Sequence, residues 1–121
     1  MGTFTEICIY EVKPNKTEEF EQLIKEVAEH HKSCEGTISV NYMKRTHRQK
    51  DFNSVKEGEP AIRLTRIATS VTYILYWETE NEIVHGKASK SGLDMFYKRF
   101  TRCLTTMPKI ILGEQIIKFD Y

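Results

Sequence analysis

The chain has 121 residues, 40% hydrophobic and 29% charged. That length holds one core, burying about two thirds of the unfolded chain's surface, and the composition excludes wholesale disorder and fibrous repeats. Lys plus Arg number 18 against 17 Asp plus Glu, so the net charge of +1 supplies no broad field for nucleic acid or an anionic membrane.

Phe4 to Val12 reads as a strand, with Ile7 and Ile9 on one face and Phe4, Cys8, Tyr10 and Val12 on the other. Lys13-Pro14-Asn15-Lys16 breaks the alternation, and Asn15 followed by Glu18 has the spacing of a helix N-cap with its reciprocal carboxylate. Phe20, Leu23, Ile24, Val27 and Ala28 then recur as one face of a helix, His31 continues the stripe, and Glu35-Gly36 ends it. His30 falls off the stripe toward solvent. Thr37 to Lys44 is a second strand.

The polar segment THRQKDFNSVKEGEP after Arg45 is an exposed excursion, so 46–70 reads as a charged insert within a single 1–121 domain. Ala61 to Ile67 alternates and can add a short edge strand. Ser70 to Thr79 is the strongest strand, with Val71, Tyr73, Leu75 and Trp77 opposed to Thr72, Ile74 and Tyr76. Glu80 to Ala88 reads as a short helix. Ser91 with Asp94 caps another, with the stripe Leu93, Phe96, Tyr97, Phe100 and Leu104, and Lys98 and Arg102 toward solvent. Ile110 to Phe119 is the final strand.

This β-α-β-(insert)-β-α-β order fits an α+β, ferredoxin-like domain: a four-stranded antiparallel sheet with both helices on one face. Large apolar side chains occur on both faces of every long strand, and each one left wet forfeits ~1.5–3 kcal/mol. The same face of a second copy is the simplest cover, which predicts a homodimer. No stretch approaches the ~20 apolar residues that span a bilayer, and the N-terminal alternation is unlike a signal peptide, so a cytoplasmic location is expected. Cys8, Cys34 and Cys103 read as reduced thiols, Cys8 and Cys103 as small buried hydrophobes. No CxxC or HxxxH pair suggests a metal.

Three stretches, VKPNKTEEFEQLI, CEGTISVNYMKR and YILYWETENEIVHGKAS, resemble the antibiotic-biosynthesis-monooxygenase type of dimeric α+β barrel over about residues 4–45 and 71–118. Asn15 stands where Gly is usual, and the 46–70 insert replaces a short hairpin. The resemblance implies a pocket between sheet and helices, used by some members to oxygenate quinols and related aromatics without metal or flavin. No cofactor is therefore expected. The haem-degrading branch of the same fold has an Asn, Trp and His triad that has no counterpart here.

The resemblance singles out His85, the His after the third strand, as a base that takes a proton from a phenol or steadies a carbanion. Trp77 is a candidate wall for a planar aromatic, with its N–H as a donor. His31, on an apolar stripe, needs a partner such as a Tyr hydroxyl, a water or a ligand. Tyr42, Tyr73 and Tyr76 are candidate substrate contacts, although alternation sends Tyr73 and Tyr76 to opposite faces. Each has a plain structural alternative: a core Trp, a His that orients the turn at Gly86, a satisfied core His, half-buried tyrosines. The cluster Lys44, Arg45, His47, Arg48 and Lys50, with Phe52, can bind phosphate or RNA, yet Asp51, Glu57 and Glu59 neutralise much of it and a solvated loop is the simpler account. The expected function is a cofactor-independent monooxygenase of a small aromatic or quinol. The alternative is a non-catalytic dimer binding a small hydrophobic ligand, or a stress or regulatory domain.

Overall fold

The computed structural model describes residues 2–49, 52–66 and 69–119. Among these described residues, four strands form one antiparallel sheet: β1 (Phe4–Val12), β2 (Thr37–Lys44), β3 (Val71–Thr79) and β4 (Lys109–Glu114), in the spatial order β2-β3-β1-β4. Three helices accompany them: α1 (Thr17–Ser33), the single-turn α2 (Asn53–Lys56) and α3 (Glu82–Cys103). The order is that of a ferredoxin-like α+β domain.

β1 and β3, the two strands richest in β-branched and aromatic residues, occupy the centre and pair over nine positions, from Phe4 opposite Thr79 to Val12 opposite Val71. Alternation in that register sends Cys8, Tyr10, Val12, Tyr73, Leu75 and Trp77 to one face, where all are buried. α1 packs there with Phe20, Leu23, Ile24 and Val27, and α3 with Ala88, Phe96 and Cys103. Aromatic contacts tie the layers together, with Phe20 4.8 Å from Tyr73 and Tyr10 stacked on Phe100 at 5.3 Å. The opposite face carries Ile7, Ile9, Ile74 and Tyr76, half-buried, with Met43 and Ile111 more exposed.

Local chemistry explains where the helices begin. α3 starts at Asn81, whose side chain accepts from the Ile83 and Val84 amides at 3.0 Å each, satisfying two donors that the helix leaves unpaired. α1 starts after a short 3-10 turn, Pro14–Lys16, without a side-chain cap; Asn15 lies inside that turn and is not the N-cap its spacing suggested. Pro14 sets the turn, and Glu18 and Glu19 in the first helical turn favour the helix dipole in place of a cap.

Three other expectations are corrected. Glu80 to Ala88 and Leu93 to Leu104 are not two helices but one continuous α3, because the small residues at Ser91 and Gly92 are contact points and not a break. Ser91 Oγ lies 2.9 Å from His30 Nε2, and a Cβ on Gly92 would stand 3.2 Å from His31 Nε2. His30 is thereby half-buried and not solvated. Ala61 to Ile67 forms no strand among the described residues: His47 and Arg63 make a single bridge, flanked by amide bonds from Arg48 to Ile62 and from Leu64 to Thr46. Ile67, Lys50 and Asp51 lie outside the described residues. Within the basic cluster, Lys44 instead sits 3.5 Å from Glu21.

β4 ends at Glu114, five residues short of the expected Phe119. One more amide bond, from Gln115 N–H to the Thr3 carbonyl at 2.9 Å, continues the pairing, and side chains hold the chain across the outer face. Gln115 Nε2 donates to Thr5 Oγ1 at 2.8 Å and to the Tyr76 hydroxyl, and Lys118 pairs with Glu78 at 2.9 Å. Ile116, Ile117 and Phe119 are left 70–94% exposed.

Gly36, at φ 88°, turns the chain from α1 into β2, and a Cβ there would meet Val84 Cγ2 at 2.6 Å. Gly58, at φ 84°, has nothing within 4 Å of the same position. Gly58→Ala therefore incurs only the left-handed backbone cost of about 1–2 kcal/mol, whereas Gly36→Ala adds a clash and lowers the urea midpoint further. Equal losses in the two variants would show that Val84 moves aside freely.

Candidate functional site

A cavity of about 570 Å³ opens between the sheet, α1 and α3 on the β1–β4 side. Val27, Leu75, Leu93, Phe100, Ile110 and Leu112 give it apolar walls, while Glu6, Trp77, His85, Ser89 and His31 also line it. A shallower depression between Gln22, Glu26, Met95 and Phe96 on the two helices holds none of these groups.

The register of β1 on β3 places Glu6 directly opposite Trp77, both on the helix-facing side. The Asn81 cap fixes the first turn of α3, so His85 reaches back to β1 and puts Nε2 2.7 Å from Glu6 Oε1. Ser89, one turn further on, sets its Oγ 3.4 Å from the same nitrogen. The imidazole is held on its sides as well: Phe4 meets it edge-on at 5.0 Å, and the Trp77 ring lies 4.8 Å away. His85 is 8% exposed.

His31 stacks flat on Trp77, with ring centroids 3.9 Å apart and an interplanar angle of 2°. Burial pushes its pKa down to about 4, with His30 and His85 adding to the effect, so the ring is neutral at physiological pH. Its buried Nδ1 has no hydrogen-bond partner among the described residues, so of the partners weighed for it, a Tyr hydroxyl, a water or a ligand, the first does not supply that bond. The indole N–H of Trp77 donates to Thr37 Oγ1 at 3.2 Å and is committed to the fold. Trp77 thus offers the cavity its ring and not, as expected, a donor.

Of the residues singled out in the sequence, the structure brings His85, Trp77 and His31 together, and the three tyrosines stand elsewhere. Tyr73 faces the helices but donates its hydroxyl to Glu21 at 2.6 Å. Tyr42 stacks on Tyr10 at 6.5 Å, behind the cavity wall. Tyr76 lies on the outer face, bonded to Gln115. The tyrosines that line the cavity are Tyr10 and the half-exposed Tyr97. Glu6 and Ser89 were also missed. The signal for Glu6 was a lone carboxylate on the otherwise apolar face of β1, between Phe4 and Cys8; for Ser89 it was the four-residue spacing from His85. Cys8 lines the cavity as well, but burial raises its thiol to about 11 and leaves it unreactive.

No family model and no curated protein matches the sequence. Solved structures do match its fold. Rv0793 from Mycobacterium tuberculosis superposes with a TM-score of 0.71 at 9% identity, over 98% of this chain and 99% of that one. A candidate antibiotic biosynthesis monooxygenase from Nitrosomonas europaea gives 0.70 at 12% identity, over 96% and 93%. SnoaB, a cofactor-independent oxygenase from Streptomyces nogalater, gives 0.65 at 13% identity, over the whole of both chains. The chain has the fold of the antibiotic biosynthesis monooxygenase-like α+β domains.

His31 makes stability pH-dependent. Its folded pKa of about 4 lies below the ordinary 6.5, so the unfolded chain takes up the proton first. The stabilisation is complete above pH 6.5 and is lost as pH falls toward 4, at about 1.4 kcal/mol per pH unit, on the order of 3 kcal/mol in all. Glu21, held low by the Tyr73 hydroxyl, and Glu26, held low by Arg99, add their losses further down. Urea unfolding between pH 7.5 and 4.5 should show the wild type level down to about pH 6.5 and weakening below it, while His31→Leu stays nearly flat.

Proposed function

We propose that this protein is a cofactor-independent monooxygenase of a small aromatic or quinol, with His85 as the proton acceptor and Trp77 as a wall of the site. One observation carries the proposal: a buried imidazole lines an apolar cavity whose 570 Å³ suits a small ring system. Removing a phenolic proton leaves an electron-rich anion that reacts with O₂ directly. A quinol oxidised to a hydroxyquinone supplies all four electrons that O₂ takes up, one oxygen atom entering the ring and the other leaving as water. The fold shared with a named cofactor-independent oxygenase supports the same reading.

A second reading has an observation of its own. The 2.7 Å contact of His85 with Glu6 also ties α3 to β1, as a purely structural bridge in a ligand-binding module would. Oxygen uptake by metal-stripped protein offered a panel of quinols and anthrone-like phenols separates the two. The oxygenase reading expects uptake that falls by roughly 10²–10⁴-fold in His85→Ala, the contribution of a positioned base. Full turnover in the variant would sink it, and ligand binding without turnover would favour the module.

We further propose that a second copy covers the outer face of the sheet. Ile7, Ile9, Ile74 and Ile111 line that face, Met43 extends it, and the exposed Ile116, Ile117 and Phe119 of the tail stand beside it. A two-fold axis makes such a face its own complement. Light scattering on the eluting protein should give twice the chain mass for the wild type and a single chain mass for Ile111→Lys, which an isolated protomer tolerates because that side chain is already half exposed.

A further inference from the structure

We infer that Glu6 is a positioning residue that holds the His85 imidazole with its proton on Nε2, leaving Nδ1 as the nitrogen that accepts a proton. The geometry stands without any assumed activity; its catalytic consequence rests on the oxygenase reading proposed above.

The Glu6–His85 pair is 2.7 Å apart, with side chains only 13% and 10% exposed, so water competes weakly for either partner. An ionised carboxylate accepts hydrogen bonds and donates none, so the nitrogen facing it must carry hydrogen. That nitrogen is Nε2. No Lys or Arg is among the described residues lining the cavity, which makes the imidazole the group there that answers the carboxylate's charge. Phe4 and Trp77 brace the ring from two sides, so it cannot turn over cheaply to present Nδ1 to Glu6.

Ser89 bears on the choice of chemistry. In a nucleophile–base–carboxylate relay, hydroxyl and carboxylate sit on opposite imidazole nitrogens. Here Ser89 and Glu6 both approach Nε2, at 3.4 and 2.7 Å, so the hydroxyl is not activated for attack. The arrangement suits proton abstraction instead. A phenolic O–H gives its proton to Nδ1, the bonding pair stays on the phenolate oxygen, and the imidazolium so formed lies against the Glu6 carboxylate.

The test reads the tautomer first. Long-range ¹⁵N–¹H spectra of histidine-labelled protein distinguish pyrrole-like from pyridine-like ring nitrogens, and the His85 signals are those lost in His85→Gln. The wild type should show a pyrrole-like Nε2 and a pyridine-like Nδ1. Glu6→Leu, which removes the acceptor, and Glu6→Gln, which can donate as well as accept, should both give a mixture, while Ser89→Ala stays as wild type. If Glu6→Leu does not fold, Glu6→Gln carries the test alone. A wild-type Nδ1–H form, or a tautomer indifferent to both Glu6 substitutions, overturns the inference. Should the wild type take up oxygen, kcat is expected to fall at least about tenfold in Glu6→Gln with KM little changed. If no substrate gives uptake, the tautomer result still decides on Glu6, and only the oxygenase reading fails.

Discussion

The site depends on the register between the two central strands. Because Glu6 stands opposite Trp77, a carboxylate and an indole arrive side by side on the face that the helices cover. A slip of one residue would send Glu6 to the outer face and leave His85 facing an apolar neighbour, since side chains alternate along a strand. Ladder hydrogen bonds alone do not choose between registers. Burial of Cys8, Tyr10 and Val12 together does, since the slip that turns Glu6 outward would turn all three out of the core, at ~1.5–3 kcal/mol for each large apolar side chain.

On that frame the cavity brings together three kinds of compromise. Gly92 gives up a side chain so that α1 and α3 approach closely enough for His31 to lie flat on Trp77. His31 finds no hydrogen-bond partner for its buried Nδ1 among the described residues. Glu6 gives up most of its hydration. None of these helps the domain to fold, and all three converge on the same few ångströms around Trp77. Local departures from the rules that stabilise a core gather where a protein meets its ligand.

Much of this was legible in the sequence. β1 and β2 fall where the sequence puts them, and β3 begins one residue later than read, because short runs of β-branched and aromatic residues bounded by turn signals mark strands even when both faces are apolar. Trp77 stood out at the end of the strongest strand, and His85 through the family resemblance. The partner of His85 did not, since a single Glu in a strand carries no local sign of which side chain on a distant helix it will meet. The tyrosines misled for the complementary reason: a phenol on a strand reads alike whether its hydroxyl is satisfied by Glu21, by Gln115 or by a ligand. Ser91 followed by Asp94 looked like the start of a second helix because a Ser three residues before a carboxylate has capping-box spacing, whereas here Ser91 sits inside one helix and faces His30.

β4 has a further consequence. It is the edge strand next to β1, and its Ile110, Ile111 and Leu112 are all about half exposed. Such a run is a template on which another chain can add a strand. Lys109 and Glu114 bracket it with opposite charges and Pro108 stands just before it, so the flanks act as gatekeepers against uncontrolled stacking. Protection of this edge therefore falls to three ordinary residues, none of which brings a polar group to the cavity.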